Sequence, residues 1–223
     1  MSIDPSEYAA EEGFRELFES ELQRLSEEPV FDYLARHGDA IETRVRGCAS
    51  QARELLDAGF HGAALVRATA GLEIAIRFFL VRPLLHGAFL SEDWARALSE
   101  RILRGRAAED RTLLPAILSN WRLDITSVRL AGGAQAWESI VGIVWPRRND
   151  YVHKGSDCGV QDAELALECL DTLLARVVDP IGARLGFTRE RTGRWCEVHP
   201  SGPSDPPGLN MPHTYPVADP FVS

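Results

Sequence analysis

The fold is read from Gly62-Ala63-Ala64-Leu65-Val66-Arg67-Ala68-Thr69-Ala70-Gly71-Leu72-Glu73-Ile74-Ala75-Ile76-Arg77-Phe78-Phe79-Leu80-Val81. Leu65, Ala68, Leu72, Ala75, Ile76 and Phe79 recur at the three-and-four spacing of a helix with one buried face. Small residues at 63, 64, 68, 70 and 71 predict that other helices approach this one closely. Pro83 is read as its end, because proline removes a donor and crowds the preceding turn.

The same period extends in both directions. Residues 6–26 predict an acidic amphipathic helix with Phe14, Leu17, Phe18, Leu22 and Leu25 on one face, ended by Pro29. Phe31 to His37 is read as a link or a single helical turn. Ile41, Val45, Cys48, Ala52, Leu55 and Leu56 predict a second helix, ended by Gly59. Downstream, Ser91 is a candidate N-cap for a helix burying Trp94, Leu98 and Ile102. Leu113, Leu114, Ile117, Leu118 and Trp121 mark a further helical stretch. Residues 122–133 are read as an irregular connection, with Asp124 to Arg129 as a candidate extended segment. Trp137, Ile140, Val141, Val144 and Trp145 predict a helix running to His153. Asp162 opens a last long helix through Leu165, Cys169, Leu170, Leu173, Leu174 and Val177, disturbed at Asp179-Pro180 and finished at Gly186.

With no alternating run long enough for a sheet, the expectation is an all-α bundle. Residues 1–38 form an acidic N-terminal helical extension and 39–186 the helical bundle. Residues 187–223 form a proline-rich tail, extended, disordered or wrapped over the bundle.

Hydrophobic residues at 45% and charged residues at 26% are ordinary for a soluble globular chain. The longest apolar candidate, Ile74 to Leu85, is interrupted by Arg77, Arg82 and Pro83, so no membrane span is expected. Asp4, Glu7, Glu11 and Glu12 make the beginning unlike a targeting peptide, and a cytoplasmic protein is expected. A net charge of −9 argues against a broad nucleic-acid-coating surface but permits a small cationic pocket. Cys48, Cys158, Cys169 and Cys196 form no C-x-x-C pair and are expected to be reduced thiols. Cys196-x-x-His199 has ligand-like spacing without a second pair, so neither a metal nor a cofactor is expected.

The chemistry concentrates in Arg148-Asn149-Asp150-Tyr151-Val152-His153-Lys154-Gly155. By straight counting, Arg148 continues the stripe of Val141 and Val144, where a charge needs a partner or an opening. Asn149 and His153 are spaced i, i+4, so the amide is placed to orient the imidazole. Arg148 and His153 lie five residues apart, about 140° around an ideal helix. Three features would bring them together: a kink at Pro146, a loosened turn at Lys154-Gly155, or a two-fold axis between identical subunits. An imidazole titrating near about 6.5 can exchange a proton with RNA's 2′-hydroxyl or its departing 5′-oxygen. A guanidinium suits the phosphate whose charge grows in the transition state. That chemistry yields a 2′,3′-cyclic phosphate without a metal. The plainer reading is a hydrogen-bonded corner at a helix end.

The run Arg148-Asn149-x-x-x-His153-x-Gly155 resembles the R-x4-6-H signature of the HEPN superfamily in its R-N-x-x-x-H-x-G form. Ala70-Gly71-Leu72-Glu73-Ile74-Ala75-Ile76 is similar to the A-x-L-E-x-A helix that often precedes it, and Asp162-Ala163-Glu164 resembles the opening of the following helix. The resemblance covers roughly Ile41 to Gly186. It implies a four-to-five-helix bundle that homodimerises, with two motifs facing one cleft. It further implies a metal-independent endoribonuclease acting on RNA as a toxin or effector of a bacterial defence or stress system. Arg148 and His153 are then catalytic, with Asn149 as polar support. Arg147, Lys154 and Glu73 are weaker substrate-binding candidates, Glu73 being placed either to meet the cationic cluster or to pair with Arg77. An antitoxin or defence-system protein is an expected partner. Gly155 stands where toxins paired with nucleotidyltransferase antitoxins usually carry tyrosine. The alternative is a non-catalytic HEPN-like dimerisation or sensor module that binds a partner protein or a nucleotide. Arg184, Arg189, Arg191 and Arg194 beside Trp195 form a basic, aromatic strip, read as a strand-tracking surface or as a solvated loop.

Overall fold

Val30, Leu34, Ile41, Val45, Cys48 and Ala52 repeat at spacings of three, four and seven, and all are buried along one helix, α1 (Pro5–Asp57). The computed structural model describes the backbone of residues 5–87, 114–116, 118–119, 123–189 and 195–197. It describes their side chains except at 5–26, 85–87, 188–189 and 196–197. Contrary to the expectation from Pro29, α1 continues through that residue. Val30, Tyr33 and Leu34, at 0%, 8% and 1% exposure, immediately follow the proline and enter the core. Each such burial contributes roughly 1.5–3 kcal/mol, together more than the roughly 3 kcal/mol lost at an internal proline. The boundary expected at residue 38 therefore falls inside one helix, and 30–34 share a core with Ile41 and Val45.

Three further helices are each built from two α segments joined by a wider π-turn. In α2 the segments are His61–Ala75 and Arg82–Gly87 around Ile76–Val81. In α3 they are Ala136–Ser139 and Trp145–Lys154 around Ile140–Val144. In α4 they are Val160–Leu173 and Asp179–Arg184 around Leu174–Val178. A proline is the second residue after every one of these turns: Pro83, Pro146 and Pro180. Its ring would collide with the carbonyl four residues back in an α-helix, and the wide turn moves that carbonyl away. Pro83 consequently does not end α2. The disturbances expected at Pro146 and at Asp179-Pro180 take this same form.

α2 occupies the centre and packs on α1, on α4 and on the last segment of α3. Its expected stripe is fully inside, with Leu65, Ala68, Leu72, Ala75, Ile76 and Phe79 at 0–1% exposure. A Cβ on Gly71 would stand 2.8 Å from Leu170 of α4 and 3.1 Å from Cys48 of α1, so the small residues do permit close helix contact. Residues 114–116 and 118–119 are helical, with Leu114 and Leu118 buried. The helix expected from Ser91, with Trp94, Leu98 and Ile102, lies outside the described residues, as do Leu113, Ile117 and Trp121. The segment considered for extended structure holds a short 3-10 turn, Ile125–Ser127. The Asp124 carboxylate accepts from the Thr126 hydroxyl and N–H, which closes the turn and holds that carboxyl below its usual range.

At the far end, β1 (Phe187–Arg189) pairs antiparallel with β2 (Trp195–Glu197). Among the described residues the chain is thus all-α with one small ribbon that folds the start of the proline-rich region back onto the helices. Phe187 stacks on Phe31 at 4.6 Å between ring centres. Trp195 stacks on Phe79, and Arg184 pairs with Glu27 at 2.6 Å. The basic, aromatic strip is not a free surface at these two positions; the side chains of Arg189, Arg191 and Arg194 lie outside the described residues. Cys48, Cys158 and Cys169 are free thiols, and burial pushes Cys169 up to about 12. The side chains of Cys196 and His199 fall outside the described set. Among the described residues, no helix is long and apolar enough to cross a membrane.

One buried charge anchors α1. Glu42 is 0% exposed and receives the Arg46 Nε–H at 2.6 Å. Arg46→Ala leaves that carboxylate without this partner. The expected loss is about 2 kcal/mol in urea denaturation, below the roughly 3–5 kcal/mol of a fully buried pair because Arg46 is half exposed. An unchanged midpoint would show that Glu42 does not depend on the guanidinium.

Candidate active site

The Arg148–Gly155 motif occupies the last segment of α3, Trp145–Lys154, and the turn that ends it. Gly155 closes the helix in the left-handed region (φ 65, ψ 27), and the Ser156 N–H donates to the Asp150 carbonyl at 3.3 Å. Only glycine enters that region without a steric cost, so the final glycine of the motif has a backbone reason. The terminus expected at Lys154-Gly155 is where the helix stops.

Arg148 leans from α3 toward α2. Its Nη1 donates to Asn149 Oδ1 at 2.9 Å, and its Nη2 lies 4.0 Å from Glu73 Oε1. Its Nε is shielded from solvent and has no hydrogen-bond partner among the described residues. The Arg148 side chain is 30% exposed, at the edge of the buried face and not within it; Arg147, at 56%, points farther out. Glu73 thus faces Arg148. Arg77, its neighbour one turn along α2, is half-buried, and its Nε is likewise without a partner among the described residues.

His153 is exposed, and among the described residues its imidazole makes no hydrogen bond or ion pair. The amide expected to orient it turns instead toward the guanidinium, because Arg148 claims Asn149 Oδ1. Arg148 and His153 do not meet within one chain. The segment carrying both is regular α-helix up to its Gly155 cap, and the wide turn at Ile140–Val144 precedes both residues. Neither local feature therefore changes the angle between them.

Arg147 and Lys154 are engaged elsewhere. Arg147 Nε lies 3.4 Å from Asp162 Oδ1, while Asp162 Oδ2 accepts the Gly159 N–H at 3.0 Å and caps α4. Lys154 Nζ pairs with Asp150 at 2.7 Å, one turn back. Tyr151, to which the sequence assigned no role, is partly exposed and yet packs on α2. A methyl on Gly62 would overlap its ring, so this tyrosine seats the motif helix on the first turn of α2. A glycine that early in a helix was the available signal. The large apolar side chains exposed among the described residues are Phe60, Ile143, Tyr151, Val152 and Val160. Three belong to α3, Phe60 directly precedes α2 beside the Tyr151 seat, and Val160 begins α4 just beyond the Gly155 turn.

No protein-family model, curated protein or solved structure matches this chain. Function is therefore read from the side chains themselves. Among the described residues they supply a half-buried guanidinium whose Nε has no partner and, on the next helical turn, an exposed imidazole with no hydrogen bond or ion pair.

Proposed function

We propose that this chain is a HEPN-type, metal-independent endoribonuclease, acting as a homodimer in a bacterial defence or stress system as a toxin or effector. The observation that carries this reading is the pair Arg148 and His153: one an anion-seeking group at the edge of the core, the other an exposed acid–base group with no partner among the described residues. Arg148 stabilises the phosphate as its charge grows. His153 removes the 2′-hydroxyl proton or delivers one to the 5′-oxygen. The 2′-oxygen bonds to phosphorus as the P–O5′ bond breaks, leaving a 2′,3′-cyclic phosphate and a 5′-hydroxyl. Asn149, bonded to Arg148, holds the guanidinium in place and is a positioning residue.

Two features support a dimer. Arg148 and His153 diverge on one helix, so a two-fold axis beside α3 is the arrangement that joins them. The exposed apolar side chains gather on and around that helix, which is where an isologous contact would cover them.

The test is incubation of the purified protein with mixed RNA in EDTA, with mass measured by light scattering. Wild type is expected to be dimeric and to leave cyclic-phosphate ends. Arg148→Ala and His153→Ala are each expected to stay dimeric and lose roughly 10²–10⁴ in rate. Intact RNA with wild type, or equal cleavage by the variants, would leave the non-catalytic dimerisation or sensor module as the better reading.

A further inference from the structure

Phe60 lies in the turn between α1 and α2 and is the most exposed large apolar side chain among the described residues, at 63%. Its backbone is held on both sides. The Phe60 N–H donates to the Leu55 carbonyl at 2.8 Å, and the Phe60 carbonyl accepts the Ala64 N–H at 2.9 Å. Phe60 also occupies the N-cap position of α2, where its side chain makes no cap hydrogen bond. Serine, threonine, aspartate or asparagine would stabilise the helix at that position and stay hydrated. Phenylalanine instead leaves the first-turn N–H groups without a side-chain acceptor and an apolar ring in water. Among the described residues the ring makes no aromatic contact, so neither the cap nor the core accounts for it. Its place in the fold is beside the motif. Gly62, two residues on, faces the Tyr151 ring, and Tyr151 is two residues before His153. Chain geometry therefore puts the alpha carbons of Phe60 and His153 about 20 Å apart at most, which a single strand crosses in a few nucleotides.

We propose that Phe60 is a base-stacking residue: an unpaired nucleobase of the RNA bound at His153 lies face to face on its ring. This rests on the ribonuclease reading and names the substrate class, single-stranded or looped RNA. Every base has a π-face, so stacking holds the strand without choosing its sequence. Paired bases already stack on one another and do not offer that face. A single ring raised between Ala58, Gly59 and His61, which are small or polar, suits a flat aromatic ligand. The contact proposed between subunits centres on α3, whereas Phe60 is carried by the α1–α2 turn. Phe60 takes no part in proton transfer.

The probe is a fluorescently labelled single-stranded 2′-O-methyl oligonucleotide, which lacks the attacking hydroxyl, titrated by anisotropy into the full chain at several salt concentrations. Phe60→Ser is expected to weaken binding about tenfold and to leave the salt dependence unchanged, because no phosphate contact is lost. An abasic strand of equal length should bind wild type and Phe60→Ser alike. Phe60→Trp should bind the base-bearing strand at least as tightly as wild type, whereas Phe60→Leu, apolar but without a π-face, should follow the serine variant. The serine also supplies the missing cap, so Phe60→Ser should melt roughly 2–4 °C above wild type. Weaker binding with higher stability is a pattern that a structural role for Phe60 does not produce. In the parallel RNA assay, Phe60→Ser should raise KM more than it lowers kcat. The inference is overturned if wild type binds no oligonucleotide or if Phe60→Ser binds the base-bearing strand like wild type. It is also overturned if Phe60→Ser turns a dimer into a monomer by light scattering, which would make Phe60 a subunit contact. Should the binding pattern hold while RNA stays uncut, the stacking site stands and the nuclease reading alone fails.

Discussion

Mixing Arg148→Ala with His153→Ala protein is expected to restore about a quarter of wild-type RNA cleavage, although each variant alone is nearly inactive. Trp145–Lys154 is regular, so five residues turn the two side chains about 140° apart. Arg148 faces Glu73 on α2, whereas His153 stands out in solvent. On the proposed function, a working site then takes Arg148 from one protomer and His153 from its partner. Random exchange makes about half of the dimers mixed, and each mixed dimer holds one intact site of two, hence about a quarter. Exchange is verified first by mass, using a tagged copy. If exchanged mixtures stay at the level of the single variants, the two residues do not share a site across the axis.

Trp195→Ala is expected to lower stability by about 2–3 kcal/mol and the melting temperature by roughly 5–10 °C. Trp195 is seated by surfaces distant in sequence. Its ring stacks on Phe79 of α2 at 5.0 Å and meets Phe187 edge-on at 5.5 Å. It lies against Gly38 of α1 and Gly182 of α4, where an added Cβ would come within 2.8 Å and 3.0 Å of the indole. Its backbone N–H donates to Asp39. Losing the ring opens a cavity bordered by three helices, which large-to-small replacements show to be costly. Trp195→Phe should recover most of the loss by differential scanning calorimetry. A melting point unchanged in Trp195→Ala would show that the ribbon rests on the bundle without stabilising it.

Legibility in the sequence followed what each signal depends on. The stripe of α2 was readable because one periodic face meets three partners, so every third or fourth residue had to be apolar. Proline was misread at Pro29 and Pro83 because its penalty is local, whereas the burial of Val30 and Leu34, or of Leu80 and Val81, depends on helices far along the chain. Trp195 sat among arginines and was read as part of a strand-tracking surface or a solvated loop; its glycine-lined seat uses residues 38 and 182, which no local pattern connects. At the site, the Gly155 terminus was legible from conformational preference. The turning of Asn149 toward Arg148 was not, since spacing permits both partners and only the fold places Glu73 nearby. Counting Arg148 onto the buried stripe assumed an unbroken α-helix from Val141, and the wide turn intervenes. Arg148 therefore lies at the margin of the core, and no residue of Trp145–Lys154 is fully buried.

That wide turn has a consequence for aim. A π-turn advances less angle per residue than an α-turn, so five residues of it set everything downstream back by on the order of a quarter turn. Without Ile140–Val144 in that form, the guanidinium of Arg148 would swing away from Glu73 by that angle while its position in the sequence stayed the same. Pro146 takes part in no proton transfer and touches no phosphate. It fixes the azimuth of the arginine two residues later.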